Sequence, residues 1–209
     1  ISPWNLPLYL FTWKIAPALA AGNTVVAKPS EVTPRTATML AALAAEIGFP
    51  AGVLNVVNGS GPVVGEAIVR HPGTRAISFT GSSAVGRHIA GITGPMLKKT
   101  SLELGGKNAT LVFADSDWRK HLDTLVRSSF QNSGQICLCG SRLLVERSIH
   151  EEFRDAFVER AQALRIGDPL ETGTQLGPLV SQAQFDKVLA CIQRAREEGG
   201  RVLCGGETI

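Results

Sequence analysis

Short apolar runs alternate with helix-spaced stretches through the first half of the chain. Thr24-Val25-Val26-Ala27-Lys28 is a β-branched run that reads as a strand. Thr33 and Pro34 have the chemistry of a helix N-cap and first helical residue. The Ala/Leu-rich stretch after them predicts a helix to about Ile47, where Gly48 and Pro50 stop it. A second strand is predicted over 53–57, a turn at Asn58-Gly59-Ser60-Gly61, and a helix over 62–70. Ala76-Ile77-Ser78-Phe79 predicts a third strand. Thr80-Gly81-Ser82 then leads into a helix through Ile89, and 100–104 is a further strand. Strands separated by helices of this length imply βαβ units and a parallel sheet.

The pattern changes at Gly105-Gly106-Lys107, which marks a boundary between residues 1–105 and 106–209. Beyond it, 109–113 reads as a strand, Asp115 or Ser116 as the cap of a helix over 118–130, and 142–145 as a strand. Phe153, Phe157, Ala161 and Leu164 share one helical face, as do Phe185, Val188, Leu189 and Ile192. A Gly/Pro/Thr loop spans 166–180, and 201–204 returns to strand. The predicted fold class is α/β.

Composition narrows the possibilities. With 209 residues, 44% of them hydrophobic, the chain has enough apolar material for one large domain or two small ones and is not disordered. A net charge of +3 without a basic run argues against nucleic acid as a partner. The most apolar run, 15–27, is broken by Pro17, Gly22 and Asn23 and is too short to span a bilayer. Cys137, Cys139, Cys191 and Cys204 show neither a disulfide framework nor metal-ligand spacing, so no metal is expected and a reducing, cytoplasmic setting is. Starting at Ile1 within an apolar stretch, the chain reads as the middle of a longer polypeptide.

Several residues have candidate chemistry. Cys137 follows a predicted helix in a Gly/Ser/Gln-rich loop, where a thiolate stays open to substrate; taken alone it reads as a small buried hydrophobe. Glu103 stands among apolar residues at a strand end, where a carboxylate can act as a base or simply pair with a lysine. Asn5, between Pro3 and Pro7, is a rigid amide donor suited to an oxyanion, or part of a structural turn. Gly59-Ser60-Gly61 with Gly65 narrowly misses a dinucleotide fingerprint, and Gly81 to Gly86 opens a helix after a strand. Lys28 and Glu31 offer a donor and an acceptor for ribose hydroxyls, or are two solvated charges.

Taken in order, Pro3-Trp4-Asn5, Lys28-Pro29-Ser30-Glu31, Phe79-Thr80-Gly81-Ser82, Glu103-Leu104-Gly105-Gly106-Lys107 and Gly134-Gln135-Ile136-Cys137 resemble the NAD(P)-dependent aldehyde dehydrogenase superfamily. The resemblance runs from Ile1 to about Gly206. It implies a Rossmann-type cofactor domain, of which 1–105 is the C-terminal part, followed by the N-terminal part of a cysteine-bearing catalytic domain in 106–209.

The resemblance also implies roles. Cys137 attacks the aldehyde carbon, and the Asn5 amide with the Cys137 N–H holds the oxyanion. Hydride passes to the nicotinamide, and Glu103 activates water to hydrolyse the thioester. Trp4, Lys28 and Glu31 lie beside the adenosine ribose. Gly61, Gly65, Phe79, Gly81, Ser82 and Val85 line the adenine and pyrophosphate region, Leu104 the nicotinamide, and Gln184 and Lys187 its ribose. Glu31 favours NAD over NADP, because a carboxylate repels a 2′-phosphate. The segments around Asn5, Trp13 and Cys137 look most like the muconic semialdehyde branch. The resemblance implies a small-molecule aldehyde as substrate and a homodimer or homotetramer for the full-length protein.

Three other readings compete. A catalytically silent binding protein on the same fold lacks the cysteine or the glutamate, and both are here. A CoA-acylating relative lacks the Glu103 equivalent. A cysteine hydrolase needs a histidine base, and His71, His88, His121 and His150 have no motif context. The incomplete sheet is expected to leave this polypeptide prone to aggregation on its own.

Overall fold

The first helix, α1 (Pro7–Ala20), is one that the hydrophobic pattern does not announce, because Pro17 lies inside it and apolar residues surround it. Pro7 occupies the first turn, where a missing N–H costs nothing. Phe11 and Ile15, four apart, bury against Ala27 and Ala37 and form the first core cluster. The computed structural model describes residues 1–209 and divides into two units, Ile1–Gly105 and Gly106–Ile209.

In the first unit, β1 (Val25–Ala27), α2 (Arg35–Glu46) and β2 (Leu54–Val56) make a βαβ block, with Val25 opposite Leu54 and Ala27 opposite Val56 in parallel register. Thr33 does not cap α2. Its N–H closes a turn onto the Ser30 carbonyl at 3.2 Å, its hydroxyl is buried without a partner, and Pro34 takes the cap position. The helix predicted over 62–70 is split into a wide π-helical turn, Gly61–Gly65, and a short α3 (Glu66–Arg70).

A second block follows: β3 (Ala76–Gly81), α4 (Ser83–Thr93) and β4 (Lys99–Leu104), paired in parallel from Ala76–Lys99 to Gly81–Leu104. Thr80 and Gly81 therefore extend the strand rather than start the helix. Ser82 is the cap, its Oγ accepting from the Val85 N–H at 3.3 Å. Val69, Ile77, Phe79 and Ile89 form the core of this block.

Two residues join the blocks. The Ile1 nitrogen donates to the Ser78 carbonyl at 2.8 Å and the Ile1 carbonyl accepts from Thr80 N–H at 3.2 Å. Ser2 N–H donates to the Lys28 carbonyl at 2.9 Å. The order is therefore β2, β1, Ile1–Ser2, β3, β4. Beside Ile1 a cleft of about 450 Å³ lies between β1 and β3, lined by Lys14, Val25, Val26, Ala76 and Ser78.

The second unit pairs β5 (Ala109–Val112) with β6 (Arg142–Val145) in parallel. Between them runs α5 (Trp118–Phe130), followed after β6 by α6 (His150–Gln162) and α7 (Gln182–Glu197). Val112, Trp118, Leu122 and Phe153 form its core, with the Trp118 and Phe153 rings edge-on at 5.3 Å. Neither Asp115 nor Ser116 caps α5: Asp117 holds the cap position, and the Ser116 hydroxyl turns back to the Phe113 carbonyl at 2.6 Å. Leu164 lies past the end of α6. Residues 201–204 form no strand, since no ladder partner meets them. Gly205 and Gly206, at φ 63° and 77°, instead fold the chain toward α7, where Arg196 bonds the Gly206 carbonyl. No helix is long and apolar enough to cross a membrane.

Candidate active site

In the first unit the candidate residues gather at the carboxyl ends of the parallel strands. Lys28 directly follows β1, Gly61 lies in the turn after β2, Ser82 directly follows β3, and Glu103 and Leu104 end β4. In an open α/β sheet this is the edge where ligands sit, since helix N-termini and loop N–H groups point there.

Lys28 is buried, with only 2% of its side chain exposed, and its ammonium donates to the Pro29 carbonyl at 3.0 Å and to Glu31 Oε2 at 3.1 Å. Glu31 Oε1 accepts from the Gly61 N–H at 3.3 Å. The Glu31 carboxyl is held below the usual range by its own backbone N–H, by Lys28 and by the Gly61 N–H, against the opposing effect of burial. Gly65 lies against the Lys28 stem, where an added Cβ would sit 3.9 Å from Lys28 Cδ. Lys28, Glu31, Gly61 and Gly65 are thus brought together. A buried ammonium beside a half-exposed carboxylate gives one donor and one acceptor, the set that a vicinal diol requires. Ser2 Oγ and Thr80 Oγ1, at the same edge, are buried hydroxyls without a partner.

Phe79, Gly81 and Leu104 also serve the packing of this unit. Phe79 is only 6% exposed, and its ring lies 2.4 Å from where a Gly81 Cβ would stand, so Gly81 must lack a side chain. Leu104 packs over Gly86, where a Cβ would meet it at 2.6 Å. Val85 is exposed on the first turn of α4. Trp4 and Asn5 are half-buried in the bend before α1. Glu103 pairs with Thr80 in the β3–β4 register. Lys14 bonds Ser78 Oγ at 3.3 Å; burial pushes its ammonium down, and the Glu103 carboxylate opposes that.

The second unit contains the cysteine. α5 ends at Phe130, and Asn132 and Ser133 then take left-handed backbone conformations at φ 54° and 56°. Each costs roughly 1–2 kcal/mol for a residue other than glycine. The cost is met by ties to the 166–180 loop: Ser133 Oγ donates to the Gly177 carbonyl at 2.7 Å, and Gln135 Oε1 accepts from Val180 N–H at 3.1 Å. The chain then makes a tight turn, closed by Cys139 N–H onto the Ile136 carbonyl at 3.1 Å, with Cys137 at its second position and half-buried. Asn108 Nδ2 donates to the carbonyls of Cys137 and Cys139, at 2.6 and 3.3 Å. The sequence pattern passes over Asn108; its one signal is a side-chain amide immediately before β5.

Beside this turn is a hollow of about 260 Å³ lined by Ile136, Leu138, Cys139, Thr124, Arg127 and Gln131. The other thiols are free: Cys139 buried, Cys204 half-buried, Cys191 exposed. His150 pairs with Glu151 at 3.1 Å and serves no thiol. Gln184 and Lys187 stand on α7, where the Gln184 N–H is taken by the Ser181 cap and Lys187 is exposed. No group of three His, Cys, Asp or Glu residues is placed to hold a metal ion.

A sequence profile described as the aldehyde dehydrogenase family matches residues 1–209. The 2-aminomuconic semialdehyde dehydrogenase of Bos taurus is 53% identical over 205 residues, covering 98% of this chain and 42% of that protein. The 2-aminomuconic 6-semialdehyde dehydrogenase of a Pseudomonas species is 53% identical over 207 residues, covering 99% and 42%. Among solved structures, betaine aldehyde dehydrogenase from Staphylococcus aureus in complex with NAD+ superposes with a TM-score of 0.96 at 36% identity, covering all of this chain and 41% of that one. The chain thus spans about two fifths of the length of these relatives.

Proposed function

The chain belongs to the aldehyde dehydrogenase family, and from that premise we propose that the full-length protein oxidises an aldehyde to a carboxylic acid with NAD. The observation that carries this reading is the position of Cys137 at the corner of a turn closed by Cys139 and clamped by Asn108. A thiol there is presented by fixed backbone rather than packed into a core.

In this reading the Cys137 sulfur bonds to the aldehyde carbon, giving a thiohemiacetal. The Asn5 amide and the Cys137 N–H carry the oxygen's charge, a role in which one lost donor costs about 3–4 kcal/mol of barrier. NAD, when bound, supplies the two-electron oxidant that turns the thiohemiacetal into a thioester. Glu103 then takes a proton from water, which attacks the thioester carbon, releases the acid and frees the Cys137 thiolate.

The first unit supplies cofactor binding. Lys28 and Glu31 hold the adenosine ribose, with Trp4 beside it. Gly61, Gly65, Phe79, Gly81, Ser82 and Val85 line the pyrophosphate and adenine region. Leu104 bounds the nicotinamide, and Gln184 and Lys187 reach its ribose. The fit is supported by the pairing of buried Lys28 with half-exposed Glu31 and by the partnerless buried hydroxyls of Ser2 and Thr80 at the same edge. Accordingly, residues 1–105 act as part of the NAD-binding domain and 106–209 as part of the catalytic domain.

For the substrate we propose a muconic semialdehyde, which carries a carboxylate as well as the aldehyde. The 53% identity to 2-aminomuconic semialdehyde dehydrogenases supports this. So does Arg127, a cation in the hollow beside the nucleophile turn. We take the full-length protein to be a cytoplasmic homodimer or homotetramer. The test is NADH formation from NAD with muconic, aliphatic and betaine aldehydes, wild type beside Cys137→Ala and Glu103→Gln. The reading requires that Cys137→Ala abolish turnover. It also requires Glu103→Gln to give a single burst of NADH and a trapped acyl-enzyme. NADH production that persists in the Cys137 variant overturns it.

A further inference from the structure

We propose that Asn108 is a positioning residue for the nucleophile, aligning the Cys137 thiol and N–H from below the turn; the inference rests on the reading of Cys137 as the nucleophile. The geometry is unusually specific. One side-chain amide meets two backbone carbonyls, those of Cys137 and Cys139, at 2.6 and 3.3 Å. Both partners are acceptors, so only the amino end of the amide can face them. The two carbonyls flank the corner of the turn, and fixing both removes its freedom to rock.

Asn108 is itself anchored. Its carbonyl accepts from Arg142 N–H at 3.1 Å, where β5 and β6 begin, and the Arg142 guanidinium bonds the Lys107 carbonyl at 2.9 Å. This side chain therefore ties the turn to the start of the sheet. The remaining ties act elsewhere: Ser129 Oγ and the Ser128 carbonyl hold Gly140, while Ser133 and Gln135 hold the approach. Without Asn108, and besides the 2.8 Å bond from Ser141 N–H to the Cys139 carbonyl, residues 136–139 keep the internal bond from Cys139 N–H to the Ile136 carbonyl. That bond has a second effect. The Ile136 carbonyl and the Cys137 N–H belong to one peptide, so a donor on the carbonyl polarises the N–H. Holding the turn closed keeps that N–H a strong donor.

The experiment uses the full-length protein with Asn108→Ala, Asn108→Asp and Asn108→His. In the histidine variant Nδ1–H stands the same number of bonds from the backbone as the amide nitrogen. Three quantities are read: kcat and KM, the rate of Cys137 alkylation by iodoacetamide against pH without cofactor, and NAD affinity with the melting temperature. The Ala and Asp variants are expected to lose about 10–100-fold in kcat. KM and NAD affinity should be unchanged, and alkylation should slow in parallel. In the Asp variant, alkylation relative to the Ala variant should fall as the introduced carboxyl ionises, because the neutral acid donates to the carbonyls and the carboxylate repels them. The His variant should recover part of kcat.

Folded Ala and Asp variants with wild-type kcat and alkylation rates overturn the proposal. So does a loss that follows only the melting temperature and is not rescued by histidine. If Cys137→Ser still produces NADH, the reading of Cys137 itself fails, whatever the Asn108 variants do.

Discussion

Glu31 uses both carboxylate oxygens at once, one on the buried Lys28 ammonium at 3.1 Å and the other on the Gly61 N–H at 3.3 Å. It is therefore a fixed acceptor linking the ends of β1 and β2. Replacing it with glutamine removes the charge that disfavours a 2′-phosphate. We expect Glu31→Gln to weaken NAD binding about 10-fold or more, the value of a charged hydrogen bond, and to narrow the preference for NAD over NADP. Titration of both cofactors by fluorescence checks this.

The same carboxyl sets a pH dependence. Its folded-state pKa lies below the ordinary 4.5, so its contribution is complete above that value. The contribution fades as pH falls through the lower, folded-state value. NAD affinity should therefore be flat from neutral pH down to 4.5 and decline only at lower pH, where the folded-state carboxyl takes up its proton. Glu31→Gln should lack that decline. An equal acid loss in the variant would assign the effect to another group.

Gly140 has no room for a side chain: an added Cβ would meet Thr110 Oγ1 at 2.6 Å and Ser128 Oγ at 2.9 Å. Gly140→Ala should destabilise the protein by about 1–3 kcal/mol, the cost of overpacking a buried site. Because Gly140 follows the nucleophile turn, Cys137 alkylation should slow as well. Denaturant melts and thiol kinetics read the two effects separately.

Arg127 lines the hollow beside the turn and has no carboxylate partner within the protein. Arg127→Met should raise KM about 10-fold for a carboxylate-bearing semialdehyde, the loss of one charge-assisted contact. Neutral aldehydes should be unaffected. An equal change for both classes would assign Arg127 to structure.

Leu111 and Leu144 face each other across β5–β6 and are 60% and 51% exposed, with Phe113 nearby at 56%. Such a face on a short sheet favours association. Residues 1–209 expressed alone should self-associate with rising concentration in light scattering. Leu111→Lys with Leu144→Lys should reduce that. A monodisperse monomer of the unaltered polypeptide would contradict the expectation.

Much of this architecture was legible in the chain. Parallel βαβ blocks followed from β-branched runs spaced by Ala/Leu-rich helices, and all six strands lie where the runs predict them. The misses have local causes. α1 was hidden by Pro17 and by apolar residues on every side. The caps of α2 and α5 fell later in the chain than the side-chain chemistry suggested: the Thr33 N–H and the Ser116 hydroxyl close the preceding turns, and the Thr33 hydroxyl is buried without a partner. Residues 201–204 have strand composition and no partner. At the site, Lys28 and Glu31 read as a donor and an acceptor or as two solvated charges, and Lys28 proves buried and paired with Glu31. Asn108 escaped notice because its partners are backbone carbonyls 29 and 31 residues away, and backbone carbonyls leave no mark on composition.

The join made by Ile1 and Ser2 also bears on how the first unit folds. Each βαβ block pairs successive strands, so its contacts are short in sequence and close quickly. The bond from Ile1 to Ser78 spans 77 residues, and only three backbone bonds hold the two blocks in one layer there. The blocks should therefore form early and independently, with their docking through this segment as the late, rate-limiting event. Substitutions at the seam should then slow folding more than equally destabilising changes within either block.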